Sequence, residues 1–104
     1  MKFKFPNRDW HPEDLIRRAG YGKIFNSRTN ETSYKRSLGR GDYPRFHVYL
    51  EQYDDYFEVS LHLDQKHASY EGTTAHSGDY DSEVVENEAR RITAVIAEIY
   101  GIKI

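Results

Sequence analysis

The chain has 104 residues, no cysteine and a formal net charge of −2. That length suits one domain over 1–104 with a core of its own, and the missing thiols exclude disulfides, thiolate zinc sites and a cysteine nucleophile. Charge is unevenly spread: residues 1–45 carry 11 of the 15 Lys and Arg against 5 acids, and 46–104 carry 4 basics against 12 acids.

Lys2 to Phe5 alternates charged and aromatic residues, which fits either a short edge strand or a tail packed by its two rings. No apolar run here is long enough for a signal peptide, and nothing in the chain approaches the ~20 apolar residues of a membrane helix. The expectation is a cytoplasmic protein with no membrane association. Pro12 then fits the first position of a helix, with Glu13 and Asp14 in its first turn and Gly20 as its stop. Leu15, Ile16 and Ala19 give this two-turn helix a narrow apolar stripe.

Ile24 and Phe25 open a hairpin. Ser27-Arg28-Thr29-Asn30 is turn chemistry with Asn30 suited to a positive φ, and Thr32 to Leu38 returns with Tyr34, Arg36 and Leu38 on one face. Residues 39–44 read as a loop. Next, Phe46, Val48 and Leu50 alternate with polar residues, as do Phe57, Val59, Leu61 and Leu63. A period of two marks half-buried strands. The first run has its apolar residues at even numbers and the second at odd numbers. A shared core face therefore requires paired numbers that sum to an odd value. A turn centred on Asp54-Asp55 pairs Leu50 with Val59, Val48 with Leu61 and Phe46 with Leu63. On the reverse face it sets His47 opposite His62, Tyr49 opposite Ser60 and Glu51 opposite Glu58.

Residues 64–81 show no period and are read as a long loop carrying His67, Tyr70, His76 and Tyr80. Loops of this length are uncommon in compact domains and are often functional or disordered. A final helix is expected over 82–100, capped by Asp81 and ended by Gly101, with Val85, Ala89, Ile92, Val95, Ile96 and Ile99 inward. Assembled, this is an α+β fold: a four-stranded antiparallel sheet of two hairpins, with a short N-terminal and a long C-terminal helix on one face.

Two groups of residues point to chemistry. His47, His62 and Asp64 fall on the polar sheet face, with His76 or His67 supplied by the loop. With His76 they make a candidate proton-transfer set, and with His67 a candidate ligand set for a divalent transition metal such as zinc. The bland alternative is histidines on an exposed sheet face, since no spacing here is a specific metal motif. The second group is Arg17, Arg18, Lys35, Arg36, Arg40 and Arg45, interleaved with tyrosines, which suits nucleic acid or an acidic protein partner. Here the alternative is that the two halves of the chain neutralise each other. Glu51 facing Glu58 near the hairpin end reads as two solvated carboxylates rather than a cation site.

His62-Leu63-Asp64-Gln65-Lys66, His76-Ser77-Gly78-Asp79-Tyr80-Asp81, and Val85, Glu86 and Glu88 to Ile92 resemble small uncharacterised prokaryotic proteins. The resemblance spans less than a third of the chain and implies no activity, cofactor or partner. The expectation is a small binding or regulatory domain that recognises nucleic acid or protein without a cofactor. The alternative is a small metal- or proton-linked enzyme built on the His/Asp cluster.

Overall fold

A computed structural model describes residues 1–65 and 82–102. In chain order the elements are β1 (Lys2–Pro6), α1 (Pro12–Arg18), β2 (Gly22–Asn26), β3 (Glu31–Ser37), β4 (Arg45–Gln52), β5 (Tyr56–Asp64) and α2 (Glu83–Tyr100). The strands form one antiparallel sheet in the order β1-β5-β4-β3-β2. The α+β class therefore stands, but the sheet has five strands rather than four. The fifth is β1, with Phe3 opposite Val59 and Phe5 opposite Phe57. These two rings join the apolar face, so the N-terminal segment is strand and packed aromatic pair at once.

The β4–β5 hairpin has the register that parity requires. Leu50 meets Val59, Val48 meets Leu61, Phe46 meets Leu63, and on the reverse His47 meets His62. Any one-residue slip would expose the fully buried Val48, Phe57, Val59 and Leu61. Burying a side chain of this kind stabilises by roughly 1.5–3 kcal/mol, so the register is strongly fixed. The turn is held from outside as well: the Asn7 side chain donates to the carbonyls of Tyr53 (2.9 Å) and Asp54 (3.2 Å).

Both helices cover the same face. Leu15 and Ile16 of α1 and Val85, Ile92 and Ile96 of α2 share one apolar cluster with Tyr34, Phe46, Val48 and the β5 series. Pro12 opens α1, and Nδ1 of His11 accepts the Glu13 N–H at 3.2 Å. Gly20 leaves the helix at φ +100°, a conformation costly for any residue with a Cβ. Asn30 takes the positive φ (62°) expected in the first hairpin turn. Two details differ from expectation. Ser82 caps α2, its hydroxyl accepting the Val85 N–H at 3.2 Å, while Asp81 lies outside the described residues. β3 ends at Ser37, so Leu38 does not join Tyr34 and Arg36 on the core face and is 44% exposed.

One polar group sits inside the helix layer. Glu88 is 5% exposed. The Tyr21 hydroxyl donates to its Oε2 at 2.6 Å, Arg91 grips both oxygens at 2.9 Å, and Arg36 reaches Oε1 at 3.5 Å. Arg91 also donates to the Ala19 carbonyl at 2.6 Å. The carboxylate thus ties α2 to the end of α1 and to β3. Among the described residues no helix is long and apolar enough to cross a membrane.

Candidate functional site

The face without helices is built by strand alternation. Because Val48 and Leu61 point to the core, Arg45, His47 and Tyr49 of β4 and Ser60, His62 and Asp64 of β5 point the other way. Ser33 of β3 joins them, since its neighbour Tyr34 pairs with Val48 and faces the core. On this face Asp64 sits directly opposite Arg45 and diagonal to His47. Diagonal neighbours across a sheet lie within reach of long or aromatic side chains.

The resulting contacts form a chain. Asp64 Oδ2 accepts from Arg45 Nε at 3.3 Å and contacts His47 Nδ1 at 3.1 Å. The other imidazole nitrogen, Nε2, lies 2.8 Å from the Ser33 hydroxyl. Arg45 additionally stacks over the Tyr43 ring, 4.7 Å from its centroid. Burial opposes ionisation of Asp64, but the hydrogen bonds and charges of His47 and Arg45 outweigh it and hold the carboxyl below its usual range. An ionised carboxylate only accepts, so Nδ1 of His47 carries its proton. In the neutral ring, Nε2 is then free to accept the Ser33 O–H.

His62 is placed differently. Although it is opposite His47 in register, its ring lies edge-on to Tyr49 at 6.0 Å, while His47 lies beside Tyr49 at 4.8 Å. Burial, the N-terminal ammonium and His47 all lower the pKa of His62, and Asp64 only partly offsets them. The structure thus brings His47 and Asp64 into direct contact and sets His62 against Tyr49. His67 and His76 lie outside the described residues. Among the described residues no group of three or more His, Asp or Glu side chains is arranged to hold a metal ion. Both nitrogens of His47 are already engaged by Asp64 and Ser33, so a metal there would have to displace one of them.

Ser33, Arg45, His47 and Tyr49 line a cavity of about 380 Å³ completed by Ile24, Phe25, Asn26, Ser27 and Glu31. Burial and the charges of Glu31 and Asp64 raise the Tyr49 pKa, which keeps its hydroxyl protonated at neutral pH. Ile24 pairs with Ser33 and shares this face, whereas Phe25, 59% exposed, pairs with Thr32 and alternates to the helix side of β2. Ser33 is the site residue that the sequence alone does not reveal. It lies in no nucleophile motif, and its link to His47 depends on the β3–β4 register.

The basic residues do not gather. Arg17 pairs with Glu13 at 3.6 Å, and Arg18 lies over the Trp10 ring at 5.3 Å. Lys35 pairs with Asp42 at 3.6 Å on one face of β3, while Arg36 pairs with Glu88 at 3.5 Å on the other. Arg45 is committed to Asp64. Arg40 sits in the exposed segment between β3 and β4. No family model, curated protein or solved structure matches this chain.

Proposed function

We propose that this is a binding domain whose working surface is the helix-free sheet face, and that its partner is a protein. The observation that carries the reading is the cavity among β2, β3 and β4. Its polar wall is held in place by the Arg45–Asp64–His47–Ser33 chain, and Ile24 and Tyr49 border it on the same face. A preorganised polar pocket bordered by a tyrosine ring and an aliphatic side chain has the anatomy of an interface anchor site. Nucleic acid is the less favoured partner. Phosphate binding draws on a contiguous set of unpaired cations, and here Lys35 and Arg36 face opposite sides while four of the six candidates already hold carboxylates.

The test is site-specific photo-crosslinking in the host cell. A photoreactive residue at Ile24 is compared with one at the exposed Glu98 on α2. A discrete protein adduct at position 24, weakened by Tyr49→Ala and absent at 98, supports the reading. Equal adducts at both positions, or a salt-sensitive shift on mixed RNA by the purified protein, contradicts it.

A further inference from the structure

The chain from Asp64 through His47 to Ser33 has more order than a binding wall requires. A serine that needs only a partner can bond a nearby backbone carbonyl. Ser33 instead meets an imidazole nitrogen at 2.8 Å, and the opposite nitrogen of that ring rests on an ionised carboxylate at 3.1 Å. Carboxylate, imidazole and hydroxyl in this order are the parts that raise the nucleophilicity of a serine, and such sets are recognised by geometry rather than by sequence position. Ser33 and His47 also line one cavity with Arg45 and Tyr49. Hydroxyl, base and two hydrogen-bond donors thus face the same space.

We infer that Ser33 is an activated nucleophile toward small esters and similar activated acyl compounds. The Ser33 Oγ attacks the ester carbonyl carbon, and its proton passes to His47 Nε2. The C–O bond to the alcohol breaks, and His47 returns that proton to the departing oxygen, leaving an acyl group on Ser33. Water then attacks the acyl carbon and gives a proton to His47. The Oγ–acyl bond breaks, the carboxylic acid leaves, and Ser33 recovers its proton from His47. Asp64 touches neither substrate nor reacting atoms and acts as a positioning residue, fixing the His47 tautomer. The Tyr49 hydroxyl and the Arg45 N–H groups other than the Nε held by Asp64 are the donors available to steady charge on the carbonyl oxygen. The substrate is small because Ser33 is 6% exposed and the cavity is about 380 Å³, which excludes the main chain of a folded protein. This activity stands independently of the protein-partner reading.

The experiment is labelling of the folded protein with a fluorophosphonate, which reacts with activated serine hydroxyls, followed by peptide mass spectrometry. The expected result is one label, on Ser33. It should be lost in Ser33→Ala, slowed at least tenfold in His47→Gln, and absent from heat-unfolded wild type, a comparison that needs no variant to fold. Asp64→Asn should slow labelling and also shift the ¹⁵N resonances of His47 away from the Nδ1–H tautomer, which loss of packing alone would not do. An unlabelled folded wild type, a label on another residue, or equal labelling of folded and unfolded protein would overturn the inference.

Discussion

Removing the Glu88 carboxylate tests how the helix layer is attached to the sheet. Three side chains converge on it, Tyr21 from the connection after α1, Arg36 from β3 and Arg91 from α2 itself, and their situations differ. The Arg36 and Arg91 side chains are about one-third exposed, so water can take up part of what they lose. Tyr21 is 3% exposed and has no such recourse. Breaking a buried ion pair by deleting one partner costs about 3–5 kcal/mol. The partial exposure of the arginines places Glu88→Ala near the lower end, at ~3 kcal/mol. Glu88→Gln keeps the volume and much of the hydrogen bonding, so ~1–2 kcal/mol is expected. Urea unfolding reads these losses as lower midpoints at an unchanged slope. A double-mutant cycle of Tyr21→Phe with Glu88→Gln should show coupling of at least ~0.5 kcal/mol, since the two groups touch. The reasoning fails if both Glu88 variants melt within ~0.5 kcal/mol of wild type, the range of an ordinary surface change. A second reading comes from alkali. Burial and Glu88 push the Tyr21 phenol well above its ordinary value. The folded state therefore holds that proton more tightly than the unfolded chain, and stability should decline as pH rises past ~10.

Three further outcomes follow from the same geometry. His62 should titrate below ~6.5 by NMR; because the unfolded chain binds that proton more readily, stability should begin to fall as pH drops through ~6.5. Asp64, whose pKa is held low by His47 and Arg45, contributes stability that is complete above ~4 and lost as pH falls through its folded value. Acid titration of Asp64→Asn should therefore lack that part of the transition, and an unchanged acid limb would contradict the contacts at Asp64. Gly20→Ala should destabilise by roughly 1–2 kcal/mol, because φ is +100° and the added Cβ gains only ordinary contact with Arg36, 3.5 Å away. A neutral result in urea would mean that the exit from α1 is not strained as described.

The central hairpin was legible because two runs of alternating residues with opposite parity leave only odd-sum registers. Pro12, Gly20, Asn30 and Gly101 likewise mark their positions through backbone preferences that need no tertiary information. What escaped notice depends on contacts between distant segments. Lys2–Pro6 leaves edge strand and packed tail equally open until β5 offers it an edge. Glu88 lies among acids and arginines that read as a solvated helix surface, and only the docking of Tyr21 and Arg36 makes it interior. His47 and Asp64 were visible as residues sharing a face. Their partners were not: parity set His47 against His62, whereas its side chain reaches diagonally to Asp64 on β5 and diagonally to Ser33 on β3. That second link needs the β3–β4 register, which residues 38–44 do not specify. The basic half of the chain read as a surface, but chain order says nothing about which side of the sheet each cation faces.

The central claim is that Asp64, His47 and Ser33 form one continuous hydrogen-bonded chain on the helix-free face. The ¹⁵N spectrum of the His47 imidazole near neutral pH tests it most directly. The predicted result is a proton on Nδ1 and an Nε2 resonance that moves on Ser33→Ala. A ring protonated at Nε2 alone, or one indifferent to both Ser33→Ala and Asp64→Asn, would contradict it.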